Sequence, residues 1–268
     1  MAAPIPTCSI STGALVGPRH VLTAAHCVYR TSAESQAFKG YADSYSFTAG
    51  RQPGGASAAD SVQLAEWIWE PAEWLSVLDT LDPGEEYEHL FPRRSDIAIM
   101  TFAIPQGGIP PGAQVGGWFG WWWQSGGGYH NNHYYLRGYP LCEGDFCKGA
   151  GSGCNWQTCV PAQLYGAAET CDCWTSTSYD NEADVVPKEC GNRCWNALVP
   201  HGCFASKAMS GGPFYFYQTF ANPHGHVISG VHVEQQYVAG NGPYVEGHIR
   251  RMTPYVSDML MYLRVLAP

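Results

Sequence analysis

The chain has 268 residues, a mass of 29.3 kDa and a formal net charge of −9. Hydrophobic residues make up 45% of it, so disorder is not the default reading. No Lys/Arg cluster stands out, which argues against a nucleic-acid partner, and no apolar run is long enough to span a bilayer.

The 31 Gly and 19 Pro, set between short β-branched and aromatic runs, point to a β protein with many turns. The length fits one compact domain, or one domain built from two similar halves. Eleven cysteines are present, nine of them between Cys142 and Cys203. That crowding points to disulfides and an oxidising, extracellular compartment, and the odd number leaves at least one thiol free or paired to another molecule. Met1-Ala2-Ala3-Pro4 does not read as a signal peptide, so the secreted reading takes the chain as a mature or trimmed form with an added Met, or as an incomplete gene model. A cytosolic location stays open.

In chain order, residues 13–22 read as strand, turn and strand around Gly17-Pro18, and the second strand runs into Thr23-Ala24-Ala25-His26-Cys27. Residues 40–104 hold further short strands and a Trp-rich, helix-like patch from Val62 to Leu78. Ile97–Phe102 reads as a buried strand opened by Asp96. The Pro/Gly-rich stretch 105–117 reads as a linker, which divides the chain into halves at 1–108 and 109–268.

Trp118–Trp123 and His133–Tyr139 read as two aromatic strands of a hairpin. They suit either barrel wall or an exposed platform for sugar or peptide. His130 and His133 within it do not read as metal ligands. Residues 142–203 form a Cys-rich insertion, read as a disulfide-stapled loop, with zinc binding or free thiols as alternatives. Phe214–Phe216, Val227–Val233 and Tyr244–Ile249 read as the last strands. Tyr255, Val256, Met259, Leu260 and Leu263 recur at helical spacing, predicting an amphipathic helix over about 254–266.

Three residues carry a chemistry. A Ser hydroxyl is a poor nucleophile at neutral pH and needs a base to take its proton. Histidine titrates in the right range, and a buried carboxylate fixes its tautomer. His26 follows a strand, Asp96 starts one, and Ser210 sits in the turn Ala208-Met209-Ser210-Gly211-Gly212-Pro213. The order His, Asp, Ser is one of the known chain orders for such a triad.

At these residues the sequence resembles a family. Val21-Leu22-Thr23-Ala24-Ala25-His26-Cys27, Ser95-Asp96-Ile97-Ala98-Ile99 and Ser210-Gly211-Gly212-Pro213 resemble the histidine, aspartate and serine motifs of trypsin-like serine proteases. Gly13–His20, Gly138-Tyr139-Pro140 and Ser229-Gly230-Val231-His232 resemble the V8-like, glutamyl-endopeptidase branch. The likeness covers about 1–140 and 203–266 and leaves the insertion outside.

The resemblance implies an all-β fold of two antiparallel six-stranded barrels with the site between them. It implies hydrolysis of protein or peptide substrates through an acyl-enzyme, with no cofactor, no metal, and a monomer favoured. Backbone N–H groups of Ala208 and Ser210 would form the oxyanion hole. The substrate pocket would take His232, Ser206 and Gly230, with Glu or Asp preferred before the scissile bond. An apolar or broad pocket stays open, and Glu234 would oppose an acidic substrate if it pointed inward.

Three positions depart from the family. Ala208 stands where Gly is usual. Met209 stands where trypsin has the Asp that pairs with a freed N-terminus, which excludes that activation route. Phe204, by simple counting, replaces the acid at the floor of a trypsin pocket. The usual cysteine partner of Cys27 would lie near Ser11, so Cys27 either bridges to Cys8 or stays free. A catalytically silent homologue, binding protein or sugar through the aromatic and Cys-rich segments, is the competing function.

Overall fold

A computed structural model of the chain describes residues 11–30, 40–49, 63–75, 95–104, 107–123, 133–139, 169–174, 198–201, 209–219, 225–237 and 245–268. Within them the first half is a five-stranded sheet in the order β1-β2-β7-β6-β5. Its strands are β1 (Ala14–Leu15), β2 (His20–Thr23), β5 (Ser46–Phe47), β6 (Gln63–Trp69) and β7 (Ala98–Phe102). A small pair, β3 (Tyr29–Arg30) and β4 (Gly40–Tyr41), stands apart. β7 is Ala-Ile-Met-Thr-Phe, buried at every position, and it lies between β2 and β6. A strand covered on both faces reads as a continuous apolar run rather than an alternating one.

The second half is a seven-stranded sheet in the order β10-β9-β12-β13-β14-β11, with β8 also on β13. The strands are β8 (Gly120–Trp121), β9 (His133–Gly138), β10 (Glu169–Trp174), β11 (Leu198–His201), β12 (Pro213–Gln218), β13 (Gly225–Tyr237) and β14 (Val245–Arg251). β13 is the spine. Its first part pairs with β12 in the register Pro213↔Val231, and its later part pairs with β14 in the register Gly230↔Arg251. A single helical turn, α1, covers Pro111–Gln114, and the chain ends in α2 (Pro254–Leu266). Thr253 caps α2 by accepting from the Val256 N–H, and Pro254 fills the first position, where a missing donor costs nothing. Val256, Leu260 and Leu263 turn inward from α2, as the helical spacing predicts.

One core cluster draws on both halves. Ala14, Val16, Leu22, Ile97 and Ile99 of the first half form one cluster with Tyr215, Ile228, Val231, Val256 and Leu260 of the second. A second cluster, around Trp74 and Phe102, belongs to the first half, and a third joins Tyr134, Leu136, Phe214 and Ile249.

Several sequence expectations change. Among the described residues the two larger sheets have five and seven strands and no closed barrel is traced, so the two six-stranded barrels stay an expectation; one pair, β8 with β13, is parallel. Among the described residues of the helix-like patch, Gln63–Trp69 forms β6 against β7 and residues 72–75 are helical. Trp and Ile favour a pleated surface, and β7 offers a partner edge that no local helix can match. The aromatic hairpin is not formed. β8 lies on β13, while β9 pairs with β12 and β10.

The two aromatic segments part because each has a better place to bury. Tyr134 stacks on Phe214 with centroids 4.5 Å apart, whereas the Trp121 indole N–H donates to Ser257 on α2. Trp118, Trp122 and Trp123 remain exposed. The stretch 142–203 supplies β10 and β11 to the main sheet, so it is partly built into the fold; its cysteines other than Cys171 and Cys173 lie outside the described residues.

Candidate active site

β2 and β7 are antiparallel in the register Thr23↔Ala98, so the C-terminal end of β2 and the N-terminal end of β7 lie at one edge of the sheet. After Thr23 the chain extends through Ala24 and winds into a single 3-10 turn, Ala25–Cys27. Asp96 sits two residues before β7, held by a tight turn in which the Ile97 N–H donates to the Ser95 carbonyl at 2.8 Å. Register alone therefore brings His26 and Asp96 together, 70 residues apart in sequence.

The contact has two points. Asp96 Oδ2 is 2.7 Å from His26 Nδ1, and Oδ1 accepts the His26 backbone N–H at 2.9 Å. A carboxylate only accepts, so Nδ1 carries hydrogen toward Asp96 and Nε2 is left with the lone pair of the neutral ring. The Asp96 side chain is fully buried and the imidazole is 16% exposed. Burial alone would lower the imidazole pKa. The neighbouring Asp96 carboxylate and the Cys27 thiol outweigh it and hold the pKa well above its usual value.

Ser210 lies in a tight turn just ahead of β12. The Gly212 N–H donates to the Met209 carbonyl at 2.8 Å, and Gly211 has φ of +83°. This is the pattern of a type II turn, whose third residue needs positive φ and is glycine for that reason. Space makes the same demand: a Cβ on Gly211 would stand 2.1 Å from Thr23 Oγ1 and 2.2 Å from the Thr12 carbonyl oxygen.

The turn is held from several sides. The Thr12 N–H donates to the Ser210 carbonyl at 3.0 Å, and Cys27 Sγ approaches the same oxygen at 3.7 Å. The Gly211 N–H donates to the His232 carbonyl at 2.7 Å, and the His232 N–H returns a bond to Gly212 at 2.8 Å. Ser210 itself is partly exposed. The residue next to His26 thus touches the residue proposed as nucleophile.

Cys27 is a free thiol. Its sulfur approaches the Ser210 carbonyl, in line with the free-thiol reading, and Cys8 lies outside the described residues. His232 lies on β13, 2% exposed, with its pKa pushed down to about 3 by burial and by the charges of His26 and His248. It is neutral at physiological pH. Gly230 lies on the same strand, where a Cβ would meet Ile249 at 2.5 Å and the Arg250 carbonyl at 2.6 Å; close approach of β14 excludes a larger residue. Ser206, Phe204 and Ala208 lie outside the described residues, and so does the zinc reading of the Cys-rich loop. Among the described residues no three His, Cys, Asp or Glu side chains group as a metal site.

Sequence reasoning missed two supports. Gly138, of the Gly-Tyr-Pro turn, leaves room for Met209, whose side chain would lie 2.9 Å from a Cβ there. Thr12 meets three separate segments at once; no motif marks it, because two of its three partners, the Ser210 carbonyl and the Tyr139 N–H, are backbone groups that any residue could offer.

This fold is that of the chymotrypsin-like serine proteases. Among solved structures it is similar to a Glu endopeptidase in complex with MPD, with a TM-score of 0.57 and 15% identity over 97% of this chain and 89% of that one. It is also similar to protease Anisep from Arthrobacter nicotinovorans, at TM-score 0.54, 15% identity and coverage of 97% and 89%. A thermostable serine protease, AL20, from an extremophilic microorganism gives 0.53, 16%, 96% and 88%. No protein-family model and no curated protein matches the chain.

Proposed function

We propose that the protein is a serine endopeptidase with His26, Asp96 and Ser210 as its triad. The observation that carries the reading is the two-point hold of a buried Asp96 on His26, beside a glycine turn that presents Ser210. In this reaction His26 Nε2 takes the hydroxyl proton of Ser210 as the oxygen attacks the scissile carbonyl. The same proton then goes to the leaving amine, and an acyl-enzyme remains. Water, deprotonated by His26, releases the acid and restores Ser210. Asp96 keeps the imidazole in the productive tautomer and stabilises its charged form. The N–H groups of Ala208 and Ser210 act as the oxyanion donors, each worth about 3 kcal/mol in the transition state.

For specificity we read the pocket as formed by His232, Gly230 and Ser206, with Glu or Asp preferred before the scissile bond. A neutral imidazole donates one hydrogen bond to a substrate carboxylate without needing a charge. The two halves, 1–108 and 109–268, would face each other across the site, and the cysteine-rich composition favours an extracellular setting. Among the described residues no helix is long and apolar enough to cross a membrane.

The test is a fluorophosphonate label on the intact chain. It should attach to wild type, fail on Ser210→Ala and fall steeply on His26→Ala. No label on wild type refutes the peptidase reading and favours the silent homologue. Peptides carrying Glu, Phe or Arg before the scissile bond test the pocket, and preferred cleavage after Phe or Arg refutes the acidic preference.

A further inference from the structure

We infer that Thr12 is a positioning residue that locks the Ser210 turn to both halves of the molecule. The inference rests on the peptidase reading and goes beyond it to a residue outside the triad. Each hydrogen-bonding group of Thr12 named here reaches a different segment. Its N–H donates to the Ser210 carbonyl at 3.0 Å. Its carbonyl accepts from Thr23 Oγ1 on β2 at 2.8 Å. Its Oγ1 accepts the Tyr139 N–H, just beyond β9, at 3.0 Å. Thr12 and Thr23 are each 3% exposed, so water cannot replace these bonds without opening the interior.

The position of this hub gives it leverage. The bond from Thr12 to the Ser210 carbonyl orients the peptide between Ser210 and Gly211. Gly211, at φ +83°, lies directly on the Thr12 carbonyl and Thr23 Oγ1. On the other side Gly212 packs against the Arg137 carbonyl, where a Cβ would come within 2.5 Å, and Arg137 leads through Gly138 to Tyr139. The turn is therefore wedged between Thr12–Thr23 from the first half and 137–139 from the second. The Thr12 hydroxyl bonds one side of the wedge to the other. Losing it frees the 137–139 segment to draw away and loosens the turn that carries Ser210.

Thr12→Val keeps the β-branched shape and removes the acceptor, while Thr12→Ser keeps the acceptor and removes a methyl. A misplacement of about 1 Å at a nucleophile costs up to about 100-fold in rate. In Thr12→Val, kcat and the maximal rate of fluorophosphonate labelling should fall about tenfold to 100-fold with KM within about twofold. Thr12→Ser should recover most of the loss. Amide exchange in peptides covering 209–212 and 136–139 should quicken in Thr12→Val and not in Thr12→Ser. That readout needs no turnover, so an inactive wild type counts against the peptidase reading alone. Should Thr12→Val not fold, Thr23→Val, which removes the donor to the Thr12 carbonyl, must give the same kcat loss and faster exchange at 209–212. Unchanged kcat and exchange in the folded valine variant overturn the proposal. Equal loss in the serine variant overturns it too, because packing of the methyl would then be the cause.

Discussion

Asp96→Asn separates geometry from charge at the proposed triad. The residue is fully buried and both oxygens accept, one from His26 Nδ1 at 2.7 Å and one from the His26 backbone N–H at 2.9 Å. Asparagine has the same shape but a single accepting oxygen. The backbone N–H can only donate, so the amide oxygen must turn to it and the NH2 group must face the imidazole. Nδ1 then becomes the acceptor, the ring hydrogen moves to Nε2, and the ring has no lone pair left for Ser210. Where the same exchange has been made in a triad of this kind, kcat falls about 10⁴-fold, equivalent to about 5.5 kcal/mol of barrier.

The pH dependence gives a second readout with a definite sign. In wild type His26 titrates well above its usual value because Asp96 and Cys27 outweigh burial. Activity through the neutral ring should rise as pH increases through that raised value, placing the acid limb above about pH 6.5. Without the carboxylate, burial dominates, and the limb should move to lower pH. Stability follows the same linkage. A raised folded pKa stabilises fully below the unfolded value of about 6.5, and the gain is lost as pH climbs through the folded value. The deficit of Asp96→Asn in urea melts should thus be larger at pH 6 than at pH 9. The assay is kcat/KM against a peptide substrate between pH 5 and 10, with fluorophosphonate labelling as an active-site count. A variant within tenfold of wild type, or an acid limb that does not move, would refute the assignment of Asp96.

Gly211→Ala forces positive φ on a residue with a Cβ and drives that atom to 2.1 Å from Thr23 Oγ1, so a loss of about 2–5 kcal/mol is expected, read as a lower midpoint in urea together with loss of labelling. Phe214→Ala removes a fully buried ring stacked on Tyr134 and should cost about 3–5 kcal/mol in denaturant melts. His232→Gln should lower the ratio of Glu to Phe cleavage while leaving the acid limb in place, because a group titrating near 3 is already neutral across the working range. A limb that shifts with His232→Gln would mean that His232 changes protonation during turnover. Thr253→Ala removes the cap of α2 and should cost about 1 kcal/mol in thermal melts.

The elements that sequence could read were those whose pattern is local. β2, β7, β12 and α2 each announce themselves through a short apolar run or a 3.6-residue period. Gln63–Trp69 was misread because its Trp and Ile residues fit either period over seven positions. The choice was made by the neighbouring edge of β7. The aromatic hairpin failed for a related reason. Sequence adjacency favours pairing Trp118–Trp123 with His133–Tyr139, but β9 pairs with β12 and stacks Tyr134 on Phe214. Long-range partners of this kind leave no trace in one segment's composition.

The site divides along the same line. His26, Asp96 and Ser210 are legible because each lies in a short motif with a chemical demand attached. The contact between His26 and Asp96 then follows from a single register, Thr23↔Ala98, without further information. What holds the Ser210 turn is not legible, because it consists of backbone groups: the Thr12 N–H, the His232 carbonyl and the Arg137 carbonyl. Only the crowding around them appears in the sequence, as glycines at 211 and 212 where a Cβ would strike Thr23 Oγ1, the Thr12 carbonyl and the Arg137 carbonyl. Glycine in such a motif therefore reports a crowded surface that belongs to other segments. The three atoms nearest a Cβ on Gly211 belong to Thr23, Thr12 and Ala24, so the first half helps shape the turn that carries Ser210. A nucleophile turn built this way cannot be assembled by one half alone, and separate expression of 109–268 should yield no fluorophosphonate-reactive protein.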